Sequence, residues 1–340
     1  MTPEALTRRY VVPSLTLVFL APMVAEVLPG ATRFSSLFVL PIEMCVWGGG
    51  ALLIRAAVRR WRLGWLNMAC LALALAVAEE CLIQQTSLAP MVLQIKGIAY
   101  ARAFGVNYVY FLWALIYEPV FVVFLPVYLV ELIFPERRED VWVSKVGLIV
   151  ASIFFLLGSF FAWFTWTRIA RVKVFHVPLY SPPLPAAAAA LAVILGLVAL
   201  ALGPRRLVLA RRAQPAAPPS LWLLGIAGAL WAVLWYGLVL LGFGIAPAFP
   251  AAVAVGGGVL LAAAIVLVVP RWAADARWLE TQTFALVFGT MTGSMLVGFI
   301  GFIGAAPMDL NFKIVVDVLA AICMLRLGRA VRKRSAAPAH

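Results

Sequence analysis

The stretch GWLNMACLALALAVAEECLIQQTSL, Gly64–Leu88, decides how this chain is read. Its first part is an apolar run. A helix needs about 20 such residues to cross the hydrocarbon of a bilayer. The run then meets two adjacent acids, Glu79 and Glu80, at a depth where an ionised carboxylate costs about 2.5–3.5 kcal/mol on insertion scales. One segment therefore states both an architecture and a chemical problem.

The same kind of run recurs along the chain. Of 340 residues, 65% are hydrophobic and only 12% are charged, and the mean hydropathy is +1.03. That leaves too little polar surface to cover a water-soluble globule, and far too much apolar surface for a disordered chain. There are 27 basic and 14 acidic residues, a net charge of +13. A basic chain this apolar reads as a membrane protein with cationic loops, with the lipid bilayer as its partner and not nucleic acid.

Ten apolar runs are long enough to span: Tyr10–Gly30, Phe34–Ala57, Gly64–Leu88, Val106–Phe134, Val146–Thr167, Pro185–Gly203, Leu221–Gly244, Phe249–Val269, Thr281–Gly304 and Phe312–Gly328. The expected fold is an all-α polytopic transmembrane helix bundle of about ten spans. With the N-terminus in the cytoplasm, 20 of the 27 basic residues fall on the cytoplasmic side. They include Arg8, Arg9, Arg55, Arg59, Arg205, Arg206, Arg211, Arg212 and the group Arg326–Arg334. This is the positive-inside asymmetry, and an even span count puts both ends there. The chain is expected in the cell inner membrane, N-in and C-in.

The chain divides near residue 140. Residues 1–140 form a four-helix half rich in carboxylates, and residues 141–340 an apolar six-helix half. In the latter, Gly289 and Gly293 have the GxxxG spacing; with Ser294 and Gly298 they give one helix a face of small residues on which a neighbour can pack closely. Tryptophans near span ends, Trp142 among them, suit the interfacial belt. The four cysteines lie inside predicted helices without CxxC spacing, so no disulfide and no metal site is read from them. The only histidines, His176 and His340, lie outside the spans. No metal and no cofactor is implied.

The acids carry the functional signal. Glu26, Glu43, Glu79, Glu80, Glu118, Glu131 and Asp317 all fall inside predicted spans. Glu131 is near enough to the cytoplasmic end to reach headgroups. With a rise of about 1.5 Å per residue, Glu43, Glu79, Glu80 and Glu118 come out roughly 12–18 Å below the outer surface, in one layer contributed by three helices. No Lys or Arg is expected at that depth: Arg55 is near an inner end, Lys96 and Arg102 are in an outer loop, and Lys313 is at a span end. Such acids hold protons, share them, bind a cation or line a wet cavity. Glu80 and Gln84 are four apart, and Asn107 and Glu118 are eleven apart, so each pair is expected on one helical face. Pro41, Pro119 and Pro126 are expected to break the helices beside the acids.

The segment Glu79-Glu80-Cys81-Leu82-Ile83-Gln84 resembles the EExxxR motif of the CPBP family of CAAX-protease and bacteriocin-processing membrane proteins, with Gln84 where the family has Arg. The region from Phe19 to Pro135 looks like a group of bacterial multi-pass proteins remotely similar to that family. The resemblance implies an intramembrane peptidase-like hydrolase in which paired glutamates activate water. It maps Glu79 and Glu80 onto the acid pair and puts Glu118 on the helix where the family has His. The family histidines are absent. Because stabilising an oxyanion requires donors, Gln84 and Asn107 are the candidates for that task.

Three functions follow. The first is a CPBP-like protein, hydrolytic or degenerate, acting on a membrane peptide or lipid-linked substrate through Glu79, Glu80 and Glu118, with Glu43, Gln84 and Asn107 binding that substrate. The second is a proton- or cation-coupled transporter of a small solute. The third is a structural or assembly subunit of a membrane complex.

Overall fold

A computed structural model describes residues 3–90, 92, 100–203, 215–239, 241–242, 246 and 248–336, with side chains from Val11 onward. Lys96, Arg205, Arg206, Arg211, Arg212, His340 and the side chains of Arg8 and Arg9 lie outside the described residues. The architecture is all-α. Helix α1 is Pro3–Pro22 and continues through the turn Met23–Val27. It is followed by α2 (Phe34–Arg60), α3 (Trp65–Ile83), α4 (Tyr108–Ile133), α5 (Lys145–Val174), α6 (Leu184–Leu202), α7 (Leu221–Val239), α8 (Ala251–Ala273) and α9 (Glu280–Phe302). The last helix, α10, is Pro307–Ala336.

Among the described residues eight helices, α2 to α9, are long and apolar enough to cross a membrane. The first expected span appears as a shorter apolar helix, Val11–Val27. The tenth has the length, but Lys313, Asp317 and its arginines make it more polar than a simple lipid-facing span. The chain is thus a multi-pass integral membrane protein. Its centre is formed by α3 and α4, whose apolar windows are 72% and 67% buried, against 11% for α6 and α8. The exposed Leu, Val and Ile of α6 and α8 are the surface that lipid covers, because helices satisfy their own backbone and can present bare side chains to hydrocarbon.

Small residues set the closest helix approaches. A Cβ on Gly289 would overlap the Gly225 carbonyl, and one on Gly293 the Ala229 carbonyl, so the expected GxxxG face of α9 is where α7 packs. Gly298 lies equally close to the Pro29 carbonyl after α1, and Gly48 of α2 to Val18 of α1.

Charges close the bundle at both ends. Arg55, 1% exposed, donates to Glu131 at 3.2 Å and to the carbonyls of Asp140 and Arg138 at 2.9 and 2.7 Å. Its guanidinium lies over the Trp142 ring. Glu131, expected at the headgroups, is instead shared by Arg55 and Arg59. Trp142, expected in the interfacial belt, is fully buried. Lys313 corrects the sequence reading more sharply. It is 1% exposed, not at a wet span end. Its Nζ donates to Leu28 O at 2.6 Å and Met295 O at 3.0 Å, and pairs with Asp317. Leu28, just after α1, and Met295 of α9 thus hold it from two other helices.

Two boundaries also move. The third span was expected to reach Leu88, but α3 ends at Ile83 and residues 84–90 are not helical, although 85–89 are buried. Helix α5 runs to Val174, so Arg168, Arg171 and Lys173 stand on its final turns and not in a loop.

Two substitutions test this packing. Gly289→Ala should lower stability by about 1–3 kcal/mol through overpacking, whereas Gly196→Ala on α6, with open space around its Cβ, should not lower it; thermal melts in detergent separate the two. Lys313→Met should cost about 3–5 kcal/mol by leaving Asp317 alone in the interior, and Lys313→Met with Asp317→Leu should recover much of that loss.

Candidate functional site

Each acid of the expected layer stands where its helix changes winding. An α-helix closes i→i+4 bonds; a π-turn closes i→i+5 bonds, accommodates one extra residue, and recurs at functional positions. Glu26 lies in the π-turn Met23–Val27. Glu43 immediately precedes the π-turn Met44–Gly48. Glu79 and Glu80 open the π-turn Glu79–Ile83, and Glu118 opens Glu118–Phe124. The backbone bonds show the spacing directly: Leu28 N donates to Met23 O at 2.9 Å, and Gln84 N to Glu79 O at 2.8 Å. Pro119 contributes the local cause in α4, since it has no N–H for the regular ladder. Pro41 sits at the start of the short α-helical piece Leu40–Glu43, between a 3₁₀ stretch and the π-turn.

The widened turns bring the acids together. Glu26 lies in coulombic range of Glu43, Glu79 and Glu80, and Glu79 of Glu80 and Glu43. Glu118 lies in range of Glu80, Glu79 and Glu26. Glu26, from α1, thus joins the group that Glu43, Glu79, Glu80 and Glu118 form. Glu43, Glu79, Glu80 and Glu118 are all buried, and Glu79 is 2% exposed.

Few protein groups answer these carboxylates. Thr32 Oγ1 donates to Glu43 Oε1, and Ser87 Oγ to Glu80 Oε2 at 2.7 Å. Among the described residues Glu43 Oε2, Glu118 Oε2 and both oxygens of Glu79 have no hydrogen-bond partner. No basic side chain pairs with any of the five among the described residues. An aromatic wall stands beside them: Tyr117 stacks on Trp113 at 4.2 Å and on Phe121 at 5.1 Å, and meets Tyr236 edge-on. The Tyr117 hydroxyl donates to the Ala25 carbonyl, tying α4 to the glutamate-bearing turn of α1. Tyr110 also comes within range of four of the acids.

Gln84 and Asn107 have other surroundings. Gln84 ends the π-turn of α3, and its side chain makes no hydrogen bond among the described residues. Asn107 precedes α4 instead of standing on it. It belongs to a two-residue hairpin paired Arg102↔Asn107 and Ala103↔Val106, whose turn residues Phe104 and Gly105 both have positive φ, 50° and 78°. Its amide donates to Thr86 O at 2.8 Å and Ala89 O at 2.7 Å, and its Oδ1 accepts from Arg102 at 2.8 Å. Arg102 further donates to Leu88 O at 2.7 Å, and Arg171 to Pro90 O at 3.1 Å. Asn107 is therefore a clamp on the buried segment 85–89. That segment satisfies the rule that irregular backbone at membrane depth must be answered by protein or by a cavity. Among the described residues no three His, Cys, Asp or Glu side chains are arranged to hold a metal ion.

No family model, no curated protein and no solved structure matches this chain.

Asn107→Ala should destabilise the protein by about 2–4 kcal/mol, because buried carbonyls lose their donors. It should also speed amide exchange in residues 86–89. Gln84→Ala should stay within about 0.5 kcal/mol. Melts and hydrogen exchange in detergent check both.

Proposed function

We propose that the chain works in a bacterial inner membrane with both termini cytoplasmic, as a proton-coupled transporter of a small solute whose proton site is the layer Glu26, Glu43, Glu79, Glu80 and Glu118. One observation carries this reading: Glu79 is fully buried with neither oxygen partnered, inside a group of acids with no cation among them. Like charges this close in a medium of low dielectric cannot all be present at once. Protons are the occupants that such a group can exchange. A proton fits better than a metal cation, since among the described residues no three His, Cys, Asp or Glu side chains are arranged to hold a metal ion. The π-turns support the same reading, as a helix can open and reclose at such a turn without breaking its ends. The basic residues crowded at one end of the helices support the orientation.

The hydrolytic reading keeps the acid pair Glu79–Glu80. Of its two expected oxyanion donors, however, Asn107 is committed to loop carbonyls, so the proton reading has the stronger support.

The test is charge movement after a pH jump, recorded on proteoliposomes adsorbed to a solid-supported membrane. Wild type should give a transient current on acidification. Glu79→Gln and Glu118→Gln should reduce it several-fold. Absence of current in the wild type, or equal currents in all three, would sink the proposal.

A further inference from the structure

A second group of polar side chains lies at the end of the bundle opposite Arg55, where α3 and α5 end and α4 begins. Its central member is Arg171, on the last turns of α5. Arg171 is 2% exposed. Only its Nη1 is engaged, by Pro90 O at 3.1 Å, and its Nε has no hydrogen-bond partner among the described residues. A guanidinium is always charged and presents five donors in a fixed fork. Burying one with a single neutral carbonyl leaves most of that fork unanswered.

The neighbourhood offers no anion. The side chains that act on Arg171 are Tyr180 and Arg102, one phenol and a second guanidinium. Arg102 donates to Leu88 O and Ala89 O, Arg171 to the next carbonyl, Pro90 O, and Tyr180 packs on the cluster that holds Leu88, so the three side chains meet at one short segment. Neither Arg102 nor Arg171 forms a salt bridge among the described residues. The stretch 91–99 between Pro90 and Tyr100, MVLQIKGIA, has no acid and one Lys. On this side of the bundle the described loops and helix ends carry Arg33, Arg102, Arg168, Arg171 and Lys173. Asp309, near the start of α10, is already bound to Ser35 at 2.9 and 3.0 Å. Arg102 and Tyr180 are only partly buried, so the group is open beside them.

We propose that Arg171, with Arg102 and Tyr180 beside it, forms a binding site for a phosphate-type oxyanion, free or on a lipid headgroup. A tetrahedral oxyanion accepts from Nε and Nη2 of one guanidinium side by side, the paired geometry that makes arginine the usual choice for phosphate. Tyr180 supplies a further hydroxyl donor, and Arg102 a second positive charge. Arg102 is already fixed by Leu88 O, Ala89 O and Asn107, so the same side chain that clamps the buried segment also flanks the bound anion. This site does not depend on whether the glutamates carry protons.

The experiment uses the full chain in nanodiscs and two probes. In phosphatidylcholine discs, inorganic phosphate is titrated calorimetrically. In a parallel set, retention of phosphatidylglycerol against phosphatidylcholine is read by native mass spectrometry. Saturable phosphate binding identifies a free anion, and selective phosphatidylglycerol retention identifies a headgroup; either supports the site. Arg171→Gln should weaken the observed binding about tenfold or more. Arg171→Lys should retain part of it, since the charge stays and the fork is lost. Tyr180→Phe, on a half-buried loop residue, should weaken it a few-fold and serves where Arg171→Gln does not fold. The site is overturned if the wild type binds neither probe, or if it binds with the same affinity as Arg171→Gln, or as Tyr180→Phe where that variant stands in.

Discussion

The low polarity of a helical membrane bundle is the constraint from which the rest of this structure follows. Every backbone polar group at depth must be answered by the protein itself, and every charge there must be paired, neutralised or wetted. At Arg55, Lys313 and Arg102 the chain meets this demand with carbonyls and carboxylates from distant segments. At the glutamate layer it does not. The cations at Arg55, Lys313 and Arg102 are thus answered by protein groups, while both oxygens of Glu79 are not.

The two polar regions differ in kind. The Arg55–Glu131–Trp142 group joins α2, α4 and the loop before α5 into a rigid floor. The clamp on 85–89 closes the opposite end of α3 and α4. Between these two fixed ends lie the four acid-bearing widened turns; a further one, Thr165–Val174, ends α5. A helix pinned at both ends and loosened in its middle concentrates any conformational freedom at the loosened turn.

Much of this was legible in the sequence, and the misses have physical causes. Composition and the long apolar runs identify the membrane class, because nothing else accommodates such runs. That Glu43, Glu79, Glu80 and Glu118 are buried follows from their place within apolar runs, and the GxxxG face of α9 from spacing alone. The end of α3 at Ile83 was hidden because Gln84-Gln85-Thr86-Ser87-Leu88 contains no Gly or Pro; Pro90 comes too late to signal the stop. Asn107 was misread because its partners, Thr86 and Ala89, lie across a segment that sequence periodicity treats as helix. Lys313 was misread because counting along one helix cannot show that α1 and α9 roof it over. Glu26 was undervalued for the same reason: its neighbours come from other helices.

A π-turn holds one residue more than the helix around it needs. Each residue advances an α-helix by about 100°, so the extra one turns everything beyond it to a new compass bearing. In α2 and α4 the stretches on the two sides of the turn therefore take their bearings separately. Evolution could retune either stretch alone. A one-residue deletion within Glu118–Phe124 would leave composition and length almost untouched, yet swing the rest of α4 away from its partners.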